Sequence, residues 1–383
     1  SNFTTFFRVT LPLAAPTIVG VVTLSIVHWL ESLDVELILG VPAGIYVISS
    51  KIYTLVNQTF PPNYTLSMAY SVLLLGAMSV LILVYQRVFL ARSYRYATVT
   101  GRGYTVRPIK VGRWKYVIFS LIVLYFVLST ALPMVFILIA SFMKVFPSFA
   151  GDWFTFDNWR VVLANPVIWG YWRNTFVLGV GTGTAGMFLY ALISYLALRT
   201  RYKLRWLVEF MSWIPYALPG VVLALGLLWV YVGTVRLPFP MYGTIHLLIL
   251  CCIIKRMPLG VRITNSAILQ ISKELEDASR IHGGSWWYTF KHTYLPLMWP
   301  GLVSGWLLIA VLSVKELAIV LMLYGPRSAT LSVYFYLLIE EAQLSYYSRA
   351  MVVGILELTV IGVLWILSRL AARWGRGVQA SAA

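Results

Sequence analysis

The chain has 383 residues, of which 60% are hydrophobic and 11% are charged, and its formal net charge is +17. Soluble globular proteins carry roughly 25% charged residues, so this composition excludes that class and predicts a protein whose main solvent is lipid. The basic residues lie in short loops between apolar runs rather than along one stripe, which argues against nucleic-acid binding.

Eight apolar windows are predicted to cross the membrane, because about 20 apolar residues span a hydrocarbon core of about 30 Å. In chain order they are residues 12–39, 66–90, 115–142, 175–198, 208–233, 242–258, 297–323 and 348–370. The first window is too long for a signal peptide and begins with Pro12 and Pro16. The expected fold is an all-α polytopic membrane protein with about eight transmembrane helices in the cytoplasmic (inner) membrane.

The charges of the loops predict the topology. Residues 87–115 contain eight basic residues and no acidic residue, and residues 199–205 contain four more basic residues. By contrast, residues 40–65 contain Lys51 alone, and residues 324–347 contain one arginine against two glutamates. Since cytoplasmic loops carry the excess of Lys and Arg, the first two segments are expected inside and the last two outside. The same alternation places residues 143–174 outside, and residues 259–296 and the C-terminus inside.

An internal repeat relates the beginning of the chain to its last third. Residues 5–16 (TFFRVTLPLAAP) and 289–300 (TFKHTYLPLMWP) are identical at six of twelve positions, and the match continues to Glu31 with Glu316. Residues 3–90 are therefore predicted to be the last two helices of a unit whose complete copy spans about 115–372. Two parallel copies indicate a pseudo-symmetric pair of bundles, and the chain is expected to lack about four helices of the first unit.

These observations predict four segments. Residues 1–90 are the C-terminal part of the first unit, 91–113 are a basic cytoplasmic linker, 114–373 are the complete six-helix unit, and 374–383 are a cytoplasmic tail.

The inside loop 259–296 is predicted to contain two short helices separated by a turn. Ser272 can cap the first helix, and Ser285 can begin the second. Acidic residues in the first helix suit the positive end of its dipole; they are Glu274, Glu276 and Asp277. The turn is assigned to Gly283 and Gly284, because glycine commonly ends a helix.

The spacing of this loop resembles the signature of binding-protein-dependent ABC transporter permeases: Glu-Ala-Ala, three residues, Gly, nine residues, Ile, one residue, Leu-Pro. The matching residues here are Asp277, Ala278, Ser279, Gly283, Thr293, Leu295 and Pro296. Asp for Glu, Ser for Ala and Thr for Ile depart from the family pattern, but the spacing is intact.

This resemblance implies that residues 274–284 form a coupling helix that docks on cytoplasmic ABC ATPase subunits, present as a dimer. A binding protein outside the membrane would deliver the substrate, expected to be ferric iron or another small solute, as in the fused ferric-iron permeases. ATP would be used by the partner, since this chain has no GxxxxGK[ST] motif, and no cofactor, metal or catalytic set is expected in it. Phe6, Leu11 and Pro12 would belong to the surviving half of a first coupling loop. The alternative is a loop that lies on the membrane surface with Trp286 and Trp287 at the interface.

Four ionisable residues within predicted spans are candidates for a functional role, because each costs about 2.5–3.5 kcal/mol at the centre of a bilayer. They are Glu31, Lys315, Glu316 and Glu357. These residues either line a pathway or pair helices with one another. If Glu316 and Glu357 bind protons or cations, the alternative function is an ion-gradient-driven transporter or channel.

Pro219 and Gly220 interrupt an apolar run and predict a broken helix, which either lines a substrate path or is a packed kink. Gly179 and Gly183 are spaced for close helix packing. The adjacent Cys251 and Cys252 are interpreted as small packed hydrophobes.

Overall fold

The computed structural model of the chain describes residues 7–8, 11–85, 112–149, 151, 153–200, 203–232, 241–341 and 343–381. In chain order its helices are α1 (Leu11–Glu31), α2 (Ile48–Asn57), α3 (Tyr64–Tyr85), α4 (Trp114–Ser141), α5 (Asp157–Ala164), α6 (Pro166–Arg199), α7 (Arg205–Trp213), α8 (Gly220–Val232), α9 (Ile245–Leu269), α10 (Lys273–Ile281), α11 (Trp286–Thr289), α12 (Leu295–Val314), α13 (Ala318–Leu323), α14 (Leu331–Glu340) and α15 (Leu344–Ser381). The protein is an all-α polytopic membrane protein.

Among the described residues, five helices are long and apolar enough to cross a bilayer, and α7 with α8 makes a sixth if that bent pair is one span. The five are α3, α4, α6, α12 with the short segments before it, and α15. The other predicted windows, 12–39 and 242–258, fall on α1 and α9. Helix α1 ends at Glu31, short of the predicted boundary, and α9 continues to Leu269. Phe6 and residues 91–111 of the predicted linker lie outside the described residues.

Helix α6 begins at Pro166, earlier than its predicted window, because two local signals favour a start there. The Asn165 side chain accepts a hydrogen bond from the backbone N–H of Val167 at 3.0 Å, and Pro166 occupies the first helical position. Proline suits that position, since its missing N–H has no partner within the helix. The helix therefore extends beyond the predicted apolar window at its N-terminal end.

Helices α6 and α12 pack closely where α6 carries glycine, as predicted for Gly179 and Gly183. A Cβ at position 179 would lie 2.8 Å from Cγ2 of Val314, and one at 183 would lie 2.9 Å from Nε1 of Trp306. Small residues at such crossings let helix backbones approach in lipid, where the hydrophobic effect does not drive association. Cys251 and Cys252 are both buried without a disulfide.

The N-terminal helices share a core with the rest of the chain. Leu33 and Leu37 lie in one buried cluster with Val221, Leu247 and Leu317. The two copies of the repeat also have the same local structure, since Leu11 begins α1 and Leu295 begins α12, each directly before the proline of the Leu-Pro pair. Residues 7–8 and 290–294 before them are both π-helical. The described part of the first copy thus has the same local structure as the second.

Candidate functional site

The inside loop folds into two helices and a glycine turn. Gly283 follows α10 with φ of +81°, a left-handed conformation that favours glycine. Its N–H donates to the carbonyl of Arg280 at 2.9 Å. The Ser285 hydroxyl accepts from the N–H of Tyr288 and so begins α11, as predicted. Ser272 has the extended backbone of a capping residue, but its side chain makes no capping hydrogen bond.

One face of α10 is turned into the protein by Glu276, which is 2% exposed. Its carboxylate accepts from the Arg280 guanidinium at 2.6 Å and from the Tyr294 hydroxyl at 2.8 Å. The sequence groups Glu276 with the surface acids Glu274 and Asp277. The structure instead buries Glu276 against Tyr294, and the exposed Arg280 lies one turn later on α10 and covers its carboxylate. Glu276 therefore ties α10 to the start of α12.

A second link joins α10 to α11 across the turn. The hydroxyls of Ser279 and Thr289 are 2.9 Å apart, and Thr289 is fully buried. Gly284 lies against this link, since a Cβ at position 284 would be 2.7 Å from Oγ of Ser279. Ser279 stands where the family signature has alanine, and here its hydroxyl fastens the two helices together.

The opposite face of α10 is exposed along its length. Glu274, Asp277 and Ala278 are all exposed, and Ile281 is 84% exposed. Residues at spacings of three and four lie on one side of a helix, so these four form a continuous surface with an acidic beginning and an apolar end. A small alanine at its centre permits close approach by another molecule.

The base of the loop is joined to α6 and α9. The Arg199 guanidinium donates to the carbonyls of Ile268 at 3.0 Å and Ile271 at 2.5 Å, and it lies 5.6 Å from the centre of the Tyr294 ring. Tyr195 packs edge-on against Tyr294 with ring centroids 5.0 Å apart. Arg199 thus ties the end of α6 to the last turn of α9 and to the segment that leads into α10. The segment before α10 is therefore held to α6 and α9, and Arg199 also contacts the segment that begins α12.

The predicted first coupling loop is described in part. Leu11 begins α1, and the backbone of Pro12 lies in that helix. Phe6 lies outside the described residues, so the correspondence with the second loop rests on the Leu-Pro pair and the helix start.

Glu316 is the centre of a buried ion cluster. Its carboxylate is bonded to Lys255 Nζ at 3.2 Å and to the Arg256 guanidinium at 2.6 Å, and Glu316 is 5% exposed. Arg256 also donates to the carbonyl of Leu312 at 2.9 Å. The two cations lie near the middle of α9, whereas Glu316 lies in the break between α12 and α13, so the cluster joins these helices. This arrangement favours helix pairing over a proton site.

The sequence analysis did not select Lys255 and Arg256. Its predicted window ended at residue 258, which placed both residues close to the inner end of the span. The helix continues to Leu269, which puts both cations in its interior. Two basic residues inside an apolar run were the available signal, since such residues need a buried partner.

The other intramembrane candidates are not ion-pair partners of Glu316 among the described residues. Glu31 is bonded to His28 at 3.5 Å. Lys315 is exposed rather than paired with its neighbour Glu316, and Glu357 is half-buried on α15. The structure therefore separates these residues, which the sequence presents as one set.

The break predicted at Pro219 and Gly220 is present and bends the α7–α8 pair by 107°. Gly220 begins α8 directly beside the ion cluster, where a Cβ would lie 2.5 Å from Lys255 Nζ. A larger residue at this position would displace Lys255 from Glu316. The glycine at the helix break therefore leaves the room that the ion pair needs.

Known proteins resemble this chain in sequence and in fold. Residues 189–374 match the family described as binding-protein-dependent transport system inner membrane component. The chain is 22% identical over 346 residues to a ferric transport system permease protein of Haemophilus influenzae, covering 88% of this chain and 52% of that protein. It is 26% identical over 260 residues to a 2-aminoethylphosphonate transport system permease protein of Salmonella paratyphi A, covering 66% of this chain and 92% of the relative.

This chain thus spans about half the length of the ferric relative. A solved structure with a similar fold is a bacterial alginate ABC transporter in complex with an alginate pentasaccharide-bound periplasmic protein. It aligns with a TM-score of 0.54 at 18% identity, over 69% of this chain and 98% of that chain.

Proposed function

We propose that this chain forms the substrate path of an ATP-binding-cassette importer. Its residues 189–374 match the family described as binding-protein-dependent transport system inner membrane component. It would dock on separate cytoplasmic ATPase subunits through α10 and receive its substrate from a binding protein on the outer side. ATP hydrolysis would take place in the partner subunits.

The two faces of α10 carry this proposal. The inner face is tied by Glu276 to the start of α12, and the outer face exposes Ala278 and Ile281 to the cytoplasm. A short rigid helix of this kind can pass a movement of a bound partner to the transmembrane helices, because packed elements shift as units. A loop that lay on the membrane would turn an apolar face to the lipid, whereas the exposed face of α10 carries Glu274 and Asp277 beside Ile281.

The proposed substrate is a small solute, with the ferric ion as the first candidate. Support comes from the ferric transport permeases among the relatives, and the chain also resembles 2-aminoethylphosphonate permeases. Uptake of radiolabelled ferric ion, 2-aminoethylphosphonate and sulfate by cells with and without the gene would decide between them.

The docking role is tested by Ala278→Asp, which places a new charge at the centre of the exposed face. We expect the amount of ATPase that co-purifies with the permease to fall about tenfold, since a badly placed charge at an interface costs roughly 1.4 kcal/mol or more. Substrate uptake should fall with it.

The matched control is Ala164→Asp, the same substitution at an exposed alanine of α5 on the predicted outer side. It should leave the amount of co-purified ATPase and the substrate uptake unchanged. ATPase association and uptake that were undiminished in Ala278→Asp would refute docking through α10.

A further inference from the structure

Helices α2 and α14 occupy equivalent places in the two copies of the repeat. Each has ten residues and follows a residue with extended backbone, Val47 in one copy and Thr330 in the other. Their sequences, ISSKIYTLVN and LSVYFYLLIE, align without a gap. In this alignment Tyr53 is the equivalent of Tyr336.

These two equivalent tyrosines contact each other. Their ring centroids are 6.1 Å apart with the planes at 89°, and Tyr53 and Tyr336 are 5% and 3% exposed. In a two-fold arrangement, a residue that touches its own equivalent lies at the axis. The pair therefore marks the pseudo-two-fold axis between the N-terminal unit and the complete unit.

The tyrosine pair lies toward the outer side of the membrane. It belongs to the segments 40–65 and 324–347, which the distribution of basic residues places outside. In transporters built from repeats, the substrate path follows the interface between the repeats. A contact on the axis at the outer end therefore crosses that path.

A polar contact beside the tyrosines also bridges the two units. Gln58 Nε2 donates to Oε1 of Glu340 at 2.9 Å and lies 3.5 Å from the Tyr336 hydroxyl. The equivalent of Gln58 in the other copy is Glu341, so one unit supplies an amide and the other supplies carboxylates. A carboxylate in place of Gln58 would put two like charges against each other.

We propose that Tyr53 and Tyr336 form the outer gate of the substrate path, and that the Gln58–Glu340 hydrogen bond latches it in the closed state of this structure. Access from the outer side then requires the two rings to separate, and with them α2 from α14. This inference rests on the proposed function, because a gate has meaning only in a transport protein.

The first test joins the two units at the gate with a reversible cross-link. Tyr53→Cys with Tyr336→Cys is made in the full-length permease with Cys251→Ala and Cys252→Ala, and membranes are treated with a short thiosulfonate cross-linker. We expect cross-linking to reduce uptake more than tenfold and a reductant to restore it. The matched control is Tyr171→Cys with Tyr334→Cys, a pair within the complete unit whose ring centroids are 5.4 Å apart. Cross-linking that pair should leave uptake unchanged.

The second test changes the latch and leaves the tyrosines in place. Gln58→Glu should raise the ATPase rate measured without binding protein about two- to fivefold, because repulsion between exposed charges of this kind is modest. The exchange Gln58→Glu with Glu340→Gln restores one amide and one carboxylate and should return the rate to its original value. A merely structural contact would not show this restoration.

The outcomes separate the gate from the function on which it rests. Undiminished uptake by the cross-linked Tyr53→Cys/Tyr336→Cys protein, or a rate in Gln58→Glu that the exchange does not restore, would overturn the gate. Absence of uptake and of ATPase association in the unmodified protein would overturn the proposed function instead.

Discussion

The hydroxyl of Tyr294 donates to the carboxylate of Glu276 at 2.8 Å, joining the exposed helix α10 to the segment that begins α12. Both side chains are buried, so neither can replace the other's hydrogen bond with one to water. If α10 receives force from a partner, this bond is one direct link from that helix to the start of α12.

Tyr294→Phe should therefore weaken coupling more than it weakens docking. It leaves one oxygen of a buried carboxylate without its donor, which costs about 1–3 kcal/mol. We expect transport per ATP hydrolysed to fall about threefold or more while the ATPase still co-purifies. The ratio of uptake to ATPase activity in reconstituted vesicles measures this effect.

Tyr288→Phe provides the comparison, because Tyr288 is exposed on the neighbouring helix α11. It should change neither the transport per ATP hydrolysed nor the amount of ATPase that co-purifies. An equal loss in both variants would show that the effect comes from tyrosine content in the loop and not from the bond to Glu276.

The turn after α10 gives a prediction about stability. Gly283→Ala forces a side chain into a backbone with φ of +81°, and we expect a loss of about 1 kcal/mol. Gly283→Asn should lose less, since asparagine tolerates the left-handed region. Thermal unfolding in detergent measures the difference. Gly226→Ala is the control, because a Cβ there meets no atom within 4 Å and it should not lower the melting temperature.

How far the sequence predicts this structure depends on whether a feature is local. The glycine turn at Gly283 and the helix start at Ser285 follow from short-range backbone preferences, and both are present. The burial of Glu276 does not follow in that way, because its partner Tyr294 lies eighteen residues away and is brought there by the turn.

The ion cluster shows the same limit over a longer distance. Glu316 is recognisable in the sequence as an expensive residue that needs a partner, yet its neighbour Lys315 is the obvious choice and the wrong one. The actual partners, Lys255 and Arg256, lie about sixty residues earlier on a different helix. Only the packing of α9 against the break between α12 and α13 selects them.

Glu316→Gln should destabilise the protein strongly, since it leaves two buried cations without their counter-charge. Breaking one partner of a buried ion pair costs about 3–5 kcal/mol. We expect a large fall in melting temperature and in the fraction of monodisperse protein after detergent extraction. Glu341→Gln, at an exposed glutamate of the outer segment, should leave both unchanged. Adding Lys255→Met to Glu316→Gln should recover part of the loss, and a double variant no better than the single one would contradict the pairing.

Arg199→Lys tests whether geometry or charge holds the base of the cytoplasmic loop. Nη2 of the guanidinium donates to the carbonyls of Ile268 and Ile271 at once while the planar group covers the ring of Tyr294, whereas an ammonium group has no planar face to lie over that ring. We expect a loss of about 1–2 kcal/mol in stability and faster proteolysis of the loop 259–296. Arg262→Lys, at an exposed position of α9, retains the same charge without these contacts and should behave as the unmodified protein. Equal protease sensitivity in the two variants would mean that charge alone suffices at position 199.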